Sequence, residues 1–283
     1  FNADPDTFTI FLDRLAQAVS FKITSLADLT AAIDRRIDFF HEHGCRLSDF
    51  GMGGQLSFVD FTDNEVDLIF SRMLKGESIG QFELDKYRSF MFLYLGRKYH
   101  EKSWAQQYHL GANRNNNSRL KKRVGSDVGC DSIGDYSFSN FLSRFFDALD
   151  RDNQLAKTIA YNLNPSQNEV FATMLGNFND GTVPGKMQWG AAWWFLDQKD
   201  GIEKHLDAVS NMGLLSRFIG MITDSRSFLS FPRHEYFRRI LCNVLAREVN
   251  QGLIPEDQGL LKQVVENICY SNARRYFEFD PKQ

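Results

Sequence analysis

An acidic and a basic side chain stand two residues apart where they could act together on one substrate. Residues 218–222 are mostly apolar, Asp224 follows them closely, and Arg226 comes two residues later. If the apolar run is a strand, side chains at i and i+2 leave it on the same side, and strand ends are where α/β barrels present catalytic groups. One side chain could hold a metal or move a proton while the other binds an anion. The alternative is an ordinary exposed ion pair, which contributes about 0–1 kcal/mol.

Other candidates occupy the same kind of position, just past a predicted strand. His109 could be a metal ligand, a general acid or base, or a hydrogen-bonded structural histidine. Trp193 and Trp194 carry indole rings that stack on a sugar face or pack in a core, and one ring could do each. His234, near the start of a predicted helix, could reach the same place or serve the helix start. The residues past predicted strands are Asp49, His109, Arg114, Asn164, Trp193, Trp194, Asp224 and Arg226. The histidines predicted to be solvated on helices are His41, His43, His100 and His205.

Apolar periodicity and turn residues predict single strands separated by helices. Strands are predicted at 45–48, 104–110, 157–163, 186–190 and 217–223. Helices are predicted at 7–19, 26–43 (with Ser25 as its cap), 63–75, 81–101, 139–149, 169–178, 201–211, 232–249 and 258–269. This alternation indicates a parallel sheet built from βα units, whose strand ends would gather the candidates on one side. Five strands fit either part of a closed barrel or an open, doubly wound sheet.

Composition excludes several classes of protein. The 283 residues carry a net charge of −3, which argues against a nucleic-acid partner. The basic segment 111–123 is predicted to be a structured loop with a solvated edge, although Arg114 could still face the site. No apolar run approaches the roughly 20 residues that a membrane span needs, and no nucleotide-binding glycine motif is present. Four widely separated cysteines favour a reduced, cytoplasmic location.

Several long segments resemble uronate isomerase, the glucuronate/galacturonate isomerase family of the amidohydrolase superfamily. They include Q-Y-H-L-G-A-N-R-N-N-N at 107–117, W-W-F-L-D-Q-K-D-G at 193–201 and M-G-L-L-S-R-F-I-G-M-I-T-D-S-R-S-F-L-S-F at 212–231. Shorter matches lie at 44–49, 146–165, 168–178 and 233–242. The resemblance extends over nearly the whole chain.

The resemblance implies an α/β fold of the metal-dependent-hydrolase type, a (β/α)8 TIM barrel. It also implies isomerisation of D-glucuronate to D-fructuronate and of D-galacturonate to D-tagaturonate, with a divalent metal, usually zinc. By the same resemblance Asp224 is a metal ligand that takes part in proton transfer, Arg226 and His109 are active-site residues, and Trp193 or Trp194 lines the substrate pocket. By position, the further candidates for substrate contact are Arg114, Asp49 and His234.

The chain also departs from the family pattern. The H-x-H metal ligands of the first barrel strand and an Arg-bearing loop are absent, and Phe50 replaces the histidine of S-D-H-G. We therefore expect 1–283 to be the C-terminal part of one TIM-barrel domain. Residues 1–44 would be a helical lead-in, 45–231 would carry strands 4 to 8, and 232–283 would form C-terminal helices. The open alternatives are a metal-dependent hydrolase of the superfamily and an inactive fragment; a homo-oligomer is compatible with each.

Overall fold

Helices and single strands alternate in the computed structural model, which describes residues 5–279. The first and last four residues of the predicted domain 1–283 lie outside the described residues. The helices are α1 (Pro5–Val19), α2 (Leu26–Glu42), α3 (Asp63–Leu74), α4 (Gln81–Glu101), α5 (Ser118–Val124), α6 (Ser139–Asp150), α7 (Asn168–Gly176), α8 (Lys199–Met212), α9 (Arg233–Asn250), α10 (Gln258–Glu266) and α11 (Asn272–Phe277). The strands are β1 (Leu47–Met52), β2 (Ala105–Leu110), β3 (Ala112–Asn113), β4 (Ser132–Ile133), β5 (Thr158–Asn162) and β6 (Met187–Trp189).

Residues 5–47, 56–104 and 140–156 form one compact, helical unit. As predicted, Ser25 caps α2, because its hydroxyl accepts a hydrogen bond from the backbone N–H of Asp28 at 3.1 Å. In this unit α4 and α6 approach so closely that a Cβ on Gly96 would lie 2.7 Å from Leu149 Cδ1. Only glycine allows that contact without displacing its neighbour. Among the described residues, no helix is both long and apolar enough to cross a bilayer.

Residues 48–55, 105–139 and 157–279 belong to the second unit, which contains the sheet. The strand order is β1-β2-β5-β6, and β5 runs parallel to both β2 and β6. Every residue of β5 is buried, and so is nearly every residue of β2. Continuous burial is typical of parallel strands that are covered on both faces. The predicted α/β class with a parallel sheet is therefore confirmed.

The predicted strand at 217–223 was wrong. Leu215–Arg217 is a 3₁₀ turn, and residues 218–223 have no regular secondary structure. The side-chain amide of Asn272 donates to the carbonyl oxygens of Ser216 and Phe218, at 2.9 and 2.8 Å. Gly220 then turns the chain with a φ of +84°, against the backbone of Ile268. A side chain therefore takes carbonyl groups that a neighbouring strand would otherwise pair, and the turn at Gly220 interrupts the pleat.

Two further parts of the sheet unit differ from the predictions. β1 begins and ends later than predicted, so Asp49 lies within the strand rather than past its end. The segment predicted to be a loop at 111–123 contains β3, which pairs antiparallel with β4, and then α5, whose cap is Asn117. Two-residue strands carry no detectable period, and β4 lies about 20 residues beyond its partner.

Candidate functional site

Five of the predicted site residues line one cavity of about 650 Å³ in the sheet unit. They are Arg114, Trp193, Trp194, Asp224 and Arg226. Arg114 follows β2 and β3, and the two tryptophans follow β6, so the cavity lies beyond the carboxyl ends of parallel strands. Ligands of α/β proteins bind in this position. Asp127, Asp131, Thr223, Ser230 and Arg233 complete most of the lining.

Asp224 reaches the cavity from a tight turn. Its φ of +45° lies in the left-handed region, which costs a residue other than glycine roughly 1–3 kcal/mol. The preceding residue, Thr223, is held on two sides. Its hydroxyl accepts a hydrogen bond from Ser225 Oγ at 2.7 Å, and its carbonyl oxygen accepts one from Arg233. Asp224 and Arg226 therefore share the cavity through this turn, not through the pleat of a strand.

Two of the three arginines that line the cavity, Arg114 and Arg226, differ in their electrostatic surroundings. The guanidinium of Arg114 lies 5.0 Å from the ring centre of Trp194, in a cation–π contact. It is also 3.5 Å from a carboxylate oxygen of Asp127 and 3.7 Å from one of Asp131. Arg226 has no ion pair or hydrogen bond with any residue of the described range. Its positive charge is therefore available to an anionic ligand.

The two tryptophans differ in how far their rings are buried and in what they contact. Trp193 is buried, and its indole N–H donates to the carbonyl oxygen of Asn162 at 3.0 Å. Trp194 is only half-buried and has a φ of +50°, at the start of a 3₁₀ turn that ends at Leu196. The buried ring fixes the position of the segment, and the half-buried ring of Trp194 lines the cavity while it stacks on Phe195 with 4.9 Å between ring centres.

His109 belongs to a stacked group next to the cavity. Its ring lies parallel to that of Tyr161 with 4.2 Å between centres, and edge-on to Trp193 at 4.5 Å. Its Nδ1 is 2.7 Å from a carboxylate oxygen of Asp49. We assign the Nδ1 proton to this hydrogen bond, since a carboxylate can only accept. Nε2 is then the acceptor nitrogen of the neutral ring.

Other predicted residues lie elsewhere. Asn164 caps the 3₁₀ turn Pro165–Gln167 by accepting from the Ser166 backbone N–H at 3.1 Å, so its amide has a local structural role. His234 lines a different cavity, of about 630 Å³, together with Phe237 and Arg238. His205, predicted to be solvated, is buried, and its Nε2–H donates to the Gly190 carbonyl oxygen at 2.7 Å.

The sequence did not single out the ion pair between Asp197 and Arg233. The carboxylate of Asp197 is 2% exposed and accepts from Arg233 Nη1. Burial raises the pKa of Asp197, and the Arg233 charge opposes that rise. The partners are 36 residues apart, so no local spacing pattern could have revealed the pair.

A divalent metal is not accounted for by the described residues alone. Within residues 5–279, no three His, Cys, Asp or Glu side chains come together as metal ligands. Asp224 is one carboxylate in a cavity otherwise lined by arginines, tryptophans and the acids near Arg114. A zinc site needs at least three protein ligands, so the residues present do not make one.

The fold and the cavity define a parallel-sheet α/β protein with a polar, arginine-lined pocket beyond its strand ends. A family model described as glucuronate isomerase matches residues 1–277. The chain belongs to this glucuronate isomerase family, and the expected resemblance is confirmed.

Relatives and solved structures agree with that assignment. The chain is 53% identical to a uronate isomerase of Flavobacterium johnsoniae over 274 residues, which are 97% of this chain and 58% of the relative. Identity to a uronate isomerase of Phocaeicola vulgatus is 49% over 276 residues, with 97% and 59% covered. The crystal structure of a uronate isomerase from Thermotoga maritima superposes with a TM-score of 0.89 at 28% identity, covering 98% of this chain and 59% of that one. The chain thus spans less than two thirds of the length of these relatives.

Proposed function

We propose that the protein carrying this chain is a uronate isomerase, an enzyme that interconverts an aldose and a ketose. Its substrates would be D-glucuronate, converted to D-fructuronate, and D-galacturonate, converted to D-tagaturonate. The uronate isomerases among its relatives support this proposal. The observation that carries it is one cavity lined by both Asp224 and Arg226, neither of which has an ion pair or hydrogen bond with any of residues 5–279.

Asp224 is the proposed base. Isomerisation removes the proton from C2 of the open-chain aldose, and the electrons of that bond form the C1–C2 double bond of an enediolate. The C1 oxygen then gains a proton as the C2 hydroxyl loses its own, the proton held by Asp224 returns to C1, and C2 becomes the carbonyl carbon of the ketose. Asp224 has no hydrogen-bond partner in the described range, so its oxygens are free to accept the C2 proton.

The cationic groups of the cavity are the proposed binders of the substrate's negative charge. Arg226 is free to hold either the uronate carboxylate in a bidentate contact or the developing oxyanion. The guanidinium of Arg114 lies over the Trp194 ring, 5.0 Å from its centre, so its N–H groups and the neighbouring indole suit a sugar acid, which combines a charged end with an apolar ring face.

We propose that His109 donates a proton to a sugar oxygen or accepts one from it. Asp49 accepts the Nδ1–H of its ring and so selects the tautomer that has Nε2 as acceptor. Asp49 acts through His109 in this scheme, and Trp193 packs edge-on against the His109 ring. His234 remains a weaker proposal for substrate contact, since it lines the other cavity.

Three further properties are proposed for the protein: a barrel fold, a divalent metal and a cytoplasmic location. We propose that the four-stranded sheet is part of a (β/α)8 barrel, in line with the fold shared with the Thermotoga maritima enzyme. A divalent metal such as zinc remains proposed with Asp224 as a ligand, but the chemistry above assigns it no step because the described residues do not complete a site. All four cysteines are free, which supports the proposed cytoplasmic location.

The test is turnover of D-glucuronate by the protein carrying this chain, followed as ketose formation. Asp224→Asn is expected to lower kcat by about a hundredfold or more, since positioned proton transfer contributes about 10²–10⁴ in rate. The matched control is Asp200→Asn, which removes an exposed acid on α8 and is expected to keep parental turnover. Parental kcat in Asp224→Asn would refute the role of Asp224. Hydrolysis of ester or amide substrates without uronate turnover would favour a superfamily hydrolase instead.

A further inference from the structure

The turns that carry Trp194 and Asp224 into the cavity are joined by a single side chain. Arg233, the first residue of α9, donates through Nη1 to Asp197 and through Nη2 to the carbonyl oxygen of Thr223. Asp197 caps the C-terminal end of the 3₁₀ turn Trp194–Leu196, and its backbone N–H donates to the Trp194 carbonyl oxygen at 3.1 Å. Thr223 immediately precedes Asp224. The planar guanidinium therefore fixes both turns at once.

Both turns need support from outside. Trp194 and Asp224 have φ values of +50° and +45°, conformations that persist in such residues only when their surroundings hold them. The peptide group between Thr223 and Asp224 is the one whose oxygen Arg233 binds. Rotation of this peptide would change φ of Asp224 and move its carboxylate. Arg233 therefore restrains the carboxylate of Asp224, which must be in place for the proposed reaction.

The ion pair is poorly arranged for stability alone. Oδ1 of Asp197 and Nε of Arg233 are buried and have no hydrogen-bond partner among the described residues. Buried polar atoms without partners oppose folding, and apolar side chains of similar size often replace buried ion pairs without loss of stability. The contribution of this pair is therefore geometric, because an apolar pair could not bind the Thr223 carbonyl.

We propose that Arg233, oriented by Asp197, is a positioning residue for Asp224 and Trp194 in uronate isomerisation. This inference rests on the proposed function. Arg233 acts through the Thr223 peptide, so its loss slows the proton transfer by Asp224 more than it weakens binding of the sugar acid.

Two variants separate positioning from folding. Arg233→Lys keeps the charge but not the planar fork that reaches Asp197 and Thr223 together. The double variant Asp197→Leu/Arg233→Met replaces the buried pair with apolar side chains and leaves no unpaired charge. Arg239→Met serves as the control, because it removes an exposed arginine of α9 whose ion-pair partner among residues 5–279 is Glu235.

The expected result is a kcat for D-glucuronate lowered by about tenfold to a hundredfold in both variants, because small displacements of reacting groups cost that much. KM is expected to stay within about twofold of the parent value, and the double variant to be at least as resistant to urea as the parent. A destabilised double variant, or a parental kcat in both variants of an active enzyme, would overturn the proposal.

Hydrogen–deuterium exchange of the amides of residues 223–227 tests the same restraint without catalysis. We expect exchange about tenfold faster in Arg233→Lys than in the parent and in Arg239→Met, because loss of a local restraint lowers the free energy of opening. Unchanged exchange would overturn the restraint even in an active enzyme. Faster exchange in a protein that does not turn over uronates would contradict only the proposed function.

Discussion

A buried histidine should make the stability of the sheet unit depend on pH. His205, on α8, is 3% exposed. Its ring packs against Trp189, with 4.2 Å between ring centres, and against Phe218 at 5.3 Å. Burial lowers the pKa of His205 from its ordinary 6.5 to about 4, while the hydrogen bond to the Gly190 carbonyl opposes this shift. Protons therefore bind the unfolded chain more readily than the folded one.

The sign and size of the effect follow from these two pKa values. The stability contributed by the neutral ring is complete above the unfolded pKa of 6.5 and is lost as the pH falls towards the folded pKa of about 4. Each pKa unit corresponds to about 1.4 kcal/mol, so the full loss approaches about 3 kcal/mol. Between about pH 7.5 and about pH 5 the expected loss from this group is about 2 kcal/mol.

Urea unfolding over this pH range, followed by tryptophan fluorescence, measures the effect, because Trp189 contacts the titrating ring. His205→Gln keeps a side-chain N–H for Gly190 but does not titrate here. Between about pH 7.5 and about pH 5, the free energy of unfolding of this variant should therefore fall by about 2 kcal/mol less than that of the parent. The control is Ile202→Val on the same helix, which is expected to cost about 1 kcal/mol at every pH without changing the slope. Equal slopes in His205→Gln and the parent would refute the reasoning.

Two other predictions concern the proton relay and the helical unit. Asp49→Asn should lower kcat for D-glucuronate by about a hundredfold, because an amide no longer selects the Nδ1–H tautomer of His109. A variant whose kcat and pH–rate profile are identical to those of the parent would contradict this prediction. Gly96→Ala should destabilise the helical unit by about 1–3 kcal/mol in urea unfolding, since the new Cβ would lie 2.7 Å from Leu149 Cδ1. Leu149→Val in the same chain should recover part of that loss, and no recovery would mean that the strain lies elsewhere.

Local patterns were sufficient for much of the fold. The nine predicted helices and three of the predicted parallel strands follow from apolar periodicity, whereas α5 and α11 were not predicted; the cap at Ser25 follows from one hydroxyl at the right position. The strand predicted at 217–223 shows where this information ends. Its apolar residues suit a strand, but the side chain of Asn272, more than 50 residues away in sequence, binds the carbonyl oxygens of Phe218 and of the preceding Ser216.

The candidate site divides in the same way. The position of residues just after strands singled out Arg114, Trp193 and Trp194, which share one cavity with Asp224 and Arg226. Asn164 satisfied the same rule but caps a turn. A strand end defines where a residue lies along the chain, whereas the direction of its side chain depends on partners that local spacing does not contain.

The sequence by itself determined the family, the alternation of strands and helices, and the identity of the groups able to do chemistry, because each is carried by nearby residues. Tertiary structure alone decided that His205 is buried, that Asp49 pairs with His109, and that the turn of Asp224 is restrained by Arg233. These outcomes depend on contacts between distant segments, which exist only after the chain has folded and excluded water from the groups that meet.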